Sequence, residues 1–414
     1  MNLKTAIIMG LISASSICQA DNQEHYAINK EYAEYEDGTE ILINKDSLTT
    51  VKASLNNDEV AEIFISPKDE NHISHNKYDR FRVDDGGIIL NNTQVKADYI
   101  INEVINNGPT SLIEGNIGIK GQAAHVIIAN PNGITCDNCS FSNTLSETLV
   151  SGSVQRLNNT VAIYNATELP DISSSDHSKF IPNRGKINII NSKSIDNNTI
   201  YNQLNIISHG ITINNKISSS NNINFFNNYN VIHNLDSTMN LYYPMAKFNS
   251  PSVLNPLSRA NRPVKNLPKR PNNNYLIIGN KETTNAIPSN LSGSIYSDNE
   301  ITIYANQSQV KNHGYLNSRI TNLSLYNRSK LENHNSIFTE NLILNKERTS
   351  TIINMESGYI FHYLPHIYNS TSSMEEINDN EINNNEKNRV ITSLNHHSFN
   401  NRGVFQFLTL KHTH

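Results

Sequence analysis

A recurring spacing in its later part constrains this chain more than any other feature. An apolar-x-apolar triplet appears at Ile301 to Ile303, again at Leu323 to Leu325 and again at Leu342 to Leu344. A second apolar mark falls at Val310, Leu331 and Ile352, each followed two residues later by an asparagine, Asn312, Asn333 and Asn354. A spacing of about 20 residues is that of solenoid repeats, in which one repeat cannot bury its apolar face and must stack on its neighbours. With alternating apolar residues this predicts parallel strands about 4.8 Å apart, with inward Ile, Leu and Val and polar corners. A β-sandwich with evenly spaced strands is the rival, and the repeated register favours the solenoid.

The earlier part reads the same way. Short β segments at Glu62 to Ile65, Gly87 to Leu90, Ile117 to Ile119, Val126 to Ala129, Lys186 to Ile190, Leu204 to Ile207 and Gly210 to Ile213 are separated by Asn, Ser, Gly and Asp. No long stretch after the first residues shows helical periodicity. The chain is therefore expected to be all-β. Its abundant asparagine suits a fold that turns often, because Asn tolerates left-handed backbone and its amides can stack in ladders.

The start has a different character. MNLK is followed by an apolar run from Ala6 to Ile17 and by Cys18-Gln19-Ala20 before Asp21, the layout of a Sec signal peptide cleaved after Ala20. A lipoprotein signal acylated at Cys18 is disfavoured by Ile17, which stands where a small residue is expected. No later stretch has the roughly 18 apolar residues of a membrane helix. After cleavage Cys136 and Cys139 are what remain of the 3 cysteines, and an oxidising compartment favours a local disulfide between them.

Few residues suggest chemistry. A net charge of −5 gives no general attraction to nucleic acid or anionic lipid. Cys136 and Cys139 lack the second ligand pair of a closed zinc site, and the surrounding loop lacks the Gly-rich turn and Lys of a phosphate cradle. Asp84-Asp85 before Gly86-Gly87 reads as a turn before it reads as a carboxylate pair. His72 and His75 sit in polar sequence and read as a solvated loop. No catalytic, cofactor or metal site is expected. Between Ser237 and Asn274 there are no acids and 6 of the 13 prolines, alongside Lys247, Arg259, Arg262, Lys265, Lys269 and Arg270. This predicts a loop or linker off the solenoid that cannot run as a regular strand, with a basic patch for an acidic surface as the functional alternative.

Three ordered blocks then carry a family resemblance: "ISHNKYDRFRVDDGGIILNN" (Ile73 to Asn92), "INEVINNGPTSLIEGNIGIKGQAAHVIIANPNGITCDNCSFSNT" (Ile101 to Thr144) and "GKINIINSKSIDNNTIYNQLNIISHGITIN" (Gly185 to Asn214). Together they resemble the N-terminal secretion domain of two-partner secretion exoproteins, the filamentous haemagglutinins, contact-dependent inhibition proteins and haemolysins. The resemblance runs from about Asp37 to Asn230, and the spacing after Ile301 is similar to haemagglutinin repeats. It implies a right-handed parallel β-helix, exported by the Sec translocon and then by a dedicated outer-membrane barrel with periplasmic POTRA domains. The family's NPNG motif falls on Asn130, Pro131, Asn132 and Gly133, its NKFD-like motif on Asn76, Lys77, Tyr78 and Asp79, and its CxxC on Cys136 and Cys139, the expected disulfide. The NPNL-type motif of many relatives is missing between Asn92 and Ile101, and relatives are usually several times longer.

The expected organisation is a signal peptide at 1–20, a leader at 21–36, the secretion domain at 37–236, the Pro/basic loop or linker at 237–274, haemagglutinin-type repeats at 275–373 and a polar, partly disordered tail at 374–414. The expected function is a secreted, non-enzymatic surface adhesin of a Gram-negative bacterium, with a host-cell or neighbouring-cell receptor as a further partner and no nucleic acid. Two alternatives stand beside it: the delivery part of a contact-dependent inhibition toxin or haemolysin without its active C-terminal part, and a β-helix enzyme acting on polysaccharide. At 414 residues the chain leaves no room for a compact C-terminal toxin, so a naturally short form or a truncated gene is expected.

Overall fold

The computed structural model describes residues 28–29, 32–34, 38–52, 60–105, 109–166, 185–190, 200–242, 274–279, 293–347, 349–363 and 399–408. The expected signal peptide, most of the leader and residues 243–273 of the proline-rich stretch lie outside the described residues.

The alternating apolar pattern becomes a coil of short strands that returns to the same three faces. Ile88–Asn92, Tyr99–Val104 and Ser111–Ile113 make one coil, and Asn116–Gly121, Ala124–Ala129 and Ile134–Cys136 make the next. Each strand pairs in parallel with its counterpart one coil on: Ile117 with Ile88, Ile127 with Ile101, Thr135 with Leu112. Three growing sheets thus wrap one core, and the architecture is a parallel β-helix.

Parallel stacking turns every inward position into a column of like residues. Ile128, Leu149, Ile206, Phe225, Ile303, Leu323 and Leu344 follow one another in register through seven coils. Ile113, Cys136, Ile189, Ile213 and Ile278 form a second column, which continues as Asn312, Asn333, Asn354 and Asn401. There the amide of Asn312 donates to Asn333 at 2.7 Å, Asn333 to Asn354 at 2.7 Å and Asn354 to Asn401 at 2.8 Å. Asn312, Asn333 and Asn354 are fully buried, and the ladder satisfies amides that would otherwise lose hydrogen bonds to water. Asparagine also makes corners: Asn138, Asn143, Asn159, Asn228 and Asn327 all have positive φ.

The repeat region differs from expectation in register. Val310, Leu331 and Ile352 stack directly, but Ile303 pairs with Leu323 and Leu323 with Leu344, so Ile301 lies on Thr321 rather than on Leu323. A slip of two residues leaves every side chain on its own face, so a period-two pattern cannot choose between the two registers.

Two antiparallel additions complete the body. At the N-terminal end Glu40–Ile43 pairs with Ile73–Arg82, and Thr50–Lys52 with Ala61–Phe64, burying Ile41, Ile43 and Val51 over the first coil. This cap reverses direction and so blunts the open edge of the parallel ladder. On one side a ribbon of Ser153–Gln155, Thr160–Asn165, Asn230–Asn234 and Met239–Tyr242 lies over the helix. It explains the continuous apolar run of Ala124–Ala129: Val126 and Ile128 join the interior, while Ile127 and Ala129 pack outward beneath the ribbon.

Two sequence expectations are corrected at their edges. Met239–Tyr242 is a regular strand of the ribbon, although it falls within Ser237 to Asn274, because it precedes the first proline of that stretch at Pro244. Phe399–Asn401 and Val404–Leu408 add a further coil within the expected polar tail, held by ladder bonding to Thr351–Asn354 and Tyr359–Tyr363.

One interior column carries an acid. Glu147 sits in register between Val126 and Leu204, is 1% exposed, accepts from the Thr144 hydroxyl through Oε1, and leaves Oε2 without a hydrogen bond. Burial pushes its carboxyl up from 4.5 to about 7. A carboxyl raised in the folded state binds protons there more tightly than in the unfolded chain, so its penalty is absent below about pH 4.5 and grows until about pH 7. Glu147→Gln should therefore be more stable than the parent at pH 8, by up to about 3 kcal/mol. The gain should vanish at pH 4, and denaturant unfolding at the two pH values checks both signs.

Candidate functional site

The residues of the NKYD stretch lie on Ile73–Arg82, the strand of the first coil that receives the cap. Alternation turns Asn76 and Tyr78 inward, both at 0% exposure, and leaves Lys77 and Asp79 half-buried. The Asn76 carbonyl accepts from the Thr49 hydroxyl at 2.8 Å and the Ser66 amide at 2.7 Å, and its amide donates to the Ile101 carbonyl at 3.1 Å. One side chain thus joins the cap, the first coil and the second. The Tyr78 hydroxyl donates to Asn102 at 3.1 Å, Asp79 accepts from Asn44 at 2.7 Å, and the Lys77 amide donates to Ser47 at 3.1 Å. The partners Asn44, Ser47, Thr49 and Ser66 all come from the cap or its connection, and nothing in their local sequence marks them as a set.

The NPNG stretch forms the corner after Ala124–Ala129. Asn130 is fully buried; its amide donates to the Pro109 carbonyl at 3.0 Å and to Ser111 at 2.9 Å, and its carbonyl oxygen accepts the Asn132 backbone at 2.8 Å. Pro131 and Asn132 are half-buried, with the fixed φ of proline holding the turn. Gly133 has φ +107°, and a Cβ there would come within 2.8 Å of the Lys186 carbonyl in the next coil, so the corner requires glycine twice over.

Cys136 and Cys139 follow at once and are joined by a disulfide with a Cα–Cα separation of 5.2 Å. Cys136 occupies an isoleucine column, and both cysteines are 1% exposed beneath Tyr201, whose hydroxyl is 4.0 and 3.7 Å from the two sulfurs. The pair thus acts as apolar filling at a corner.

The remaining candidates do not assemble. His72 contacts Asp98 at 3.0 Å on the surface; His75 contacts Glu103 at 2.8 Å, and Glu103 also accepts the Val154 amide of the ribbon at 2.8 Å. Asp84 accepts from Thr39 at 2.6 Å and from the Gly86 amide at 3.1 Å, which makes it a turn and cap anchor. Among the described residues no group of three or more His, Cys, Asp or Glu could hold a metal ion. The geometry gathers the NKYD and NPNG residues into coil-to-coil joints rather than an exposed cleft.

Comparison with known proteins gives, among others, four matches. The family model of the TPS secretion domain matches residues 41–384. The "tRNA nuclease CdiA" of Yersinia mollaretii is 38% identical over 113 residues, 22% of this chain and 4% of that protein. The "Hemolysin" of Serratia marcescens is 39% identical over 101 residues, 20% of this chain and 6% of that protein. This chain therefore spans a small fraction of these relatives' length. The crystal structure of a filamentous hemagglutinin secretion domain aligns with a TM-score of 0.48 at 15% identity, covering 90% of this chain and 96% of that one.

Asn76→Ala should leave the Ser66 amide and Ile101 carbonyl short of partners, at a cost of about 1–3 kcal/mol for each buried group. Denaturant unfolding reads the loss, and unchanged stability would show that the cap is held without this joint. For the disulfide, the folded protein in reductant should remain unlabelled by a thiol reagent, with both cysteines labelled once denaturant is added.

Proposed function

We propose that this chain, which belongs to the TPS secretion domain family, is a two-partner secretion exoprotein that crosses the inner membrane through Sec and the outer membrane through a dedicated barrel with POTRA domains. It then folds outside the cell as a β-helix and serves there, without catalysis, as a surface adhesin. The family match over residues 41–384 is the observation that carries this reading. The Asn76, Tyr78 and Asn130 side chains support a particular version of it. All three are at 0% exposure, so a transporter meets them before the coils close. In the extended chain Asn76-Lys77-Tyr78-Asp79 and Asn130-Pro131-Asn132-Gly133 are available as an address. In the folded protein the same residues are joints, so export and folding draw on one set of side chains in sequence.

Delivery of a contact-dependent inhibition toxin or a haemolysin is the second reading. The relatives named CdiA and the hemolysin match at nearly equal identity, 38% and 39%. The activities their names carry are those of proteins of which this chain matches 4% and 6%, and this reading takes from them the delivery step. The adhesin reading requires purified protein to bind host cells or glycans without releasing product from polysaccharide, whereas the delivery reading requires no such binding.

The export test is the ratio of medium to periplasmic protein with the partner barrel co-expressed. Asn130→Ile together with Asn132→Ile should lower that ratio several-fold. Full secretion of the double variant would reduce the NPNG corner to scaffold.

A further inference from the structure

The ribbon meets the β-helix at two imidazoles, the half-buried His125 and the buried His233. Tyr99 and His125 lie in register on neighbouring coils and stack at 4.7 Å. Ser237, at the turn between two ribbon strands, sits over them. The hydrogen bonds form one directed chain. The Tyr99 hydroxyl donates to the Leu235 carbonyl at 2.9 Å, so it accepts from Ser237 at 2.7 Å. The Ser237 oxygen then accepts from His125 Nε2 at 3.3 Å, and His125 Nδ1 accepts from the Ser146 hydroxyl at 2.7 Å. Every member is satisfied when His125 is neutral with its proton on Nε2. A second proton on Nδ1 turns the Ser146 hydroxyl from donor to acceptor and places a positive charge on a ring stacked against Tyr99 and partly shielded from water, where burial disfavours it.

His233 is the ribbon's own contribution. It is 1% exposed, its Nδ1 lies 2.8 Å from the Tyr164 hydroxyl, and its ring meets Tyr99 edge-on at 5.4 Å. The charged and titratable groups facing this cluster are Asp98 and Tyr99 on the helix side, and Asp236, Tyr164 and Arg156 on the ribbon side. His75 and Glu103 sit further along the same face. Burial lowers both imidazoles, His233 to about 3, with the neighbouring His125 adding to the effect on it and Asp236 opposing.

We propose that the ribbon is an acid-released clasp: protonation of His125 and His233 breaks its grip on the coils and lets Thr160–Asn165 and Asn230–Tyr242 lift away. The face uncovered is apolar, built from Ile127, Ala129, Val150, Ile207 and Phe226. The sign follows from linkage. An imidazole lowered in the closed state holds fewer protons there than in the open one, so closure is complete above about pH 6.5 and weakens as pH falls. His233 alone multiplies the opening constant about 10-fold at pH 5.5 and about 100-fold at pH 4.5, and His125 adds to both.

Amide hydrogen exchange on the full chain, corrected for intrinsic rates, reads this directly. Between pH 7 and 4.5 the amides of 160–165 and 230–242 should gain about 100-fold or more in opening relative to those of Tyr315–Tyr326 and Ser336–Lys346. His125→Gln with His233→Gln should flatten that slope, whereas Glu103→Gln, which removes the carboxylate facing His75, should keep it. Ribbon amides that track the repeat strands at every pH, or a slope that survives the double His variant, would overturn the proposal. Should the double variant fail to fold, NMR titration of the parent decides: imidazole midpoints near 6.5 for both residues overturn the clasp, and depressed midpoints uphold it.

Discussion

Coil-on-coil hydrogen bonding sets every other feature of this molecule. Parallel strands must lie about 4.8 Å apart to pair, so each residue's neighbours above and below are other members of its own column. The interior is therefore solved column by column. An isoleucine on an isoleucine fills space at constant width, as from Ile189 to Ile278. An asparagine on an asparagine passes one hydrogen bond to the next, as from Asn312 to Asn401. Mixed columns are where the rule weakens. Glu147 between Val126 and Leu204 has no like neighbour to share its charge, and its carboxyl is held up accordingly.

A ladder of this kind has no intrinsic end and leaves the outer face of each sheet to be covered or solvated. The cap answers the first problem by reversing direction at Glu40–Ile43 and Thr50–Lys52. The ribbon answers the second on one side by covering Ile101, Ile127, Val150 and Phe226. Both attachments combine apolar burial with specific polar joints. Asn76 joins the cap to two coils, and the Tyr99–His125–Ser237 chain joins the ribbon to two. Buried polar joints cost much when half-satisfied and specify one geometry when complete. Asn76 of the NKYD stretch and Asn130 of the NPNG stretch are such joints, and the proposed use of these stretches in export would draw on the same side chains before the coils close.

Much of this was legible beforehand. The strands around Glu62, Ile117, Val126 and Leu204 lie where alternation predicts them, and the Val310, Leu331 and Ile352 spacing is a true coil repeat. The triplets misled by two residues because a period-two pattern is silent about that slip. The run at Ala124–Ala129 held a further signal, since continuous apolar residues in a short strand mean burial on both faces. The two covering segments are far apart in sequence, Thr160–Asn165 and Asn230–Asn234, and neither names the other.

What the sequence by itself determined is the repeat: its length, its inward apolar positions and its asparagine corners, because these depend on neighbours within one coil and on identical positions one coil away. Only the tertiary structure decided which residues serve as joints. Asn76 needs Thr49, Ser66 and Ile101, and His125 needs Tyr99, Ser146 and Ser237, which lie up to 112 residues from it. A polar side chain's partners are set by where the chain has already folded, and no local pattern of Asn, Ser and His distinguishes a buried joint from a solvated turn.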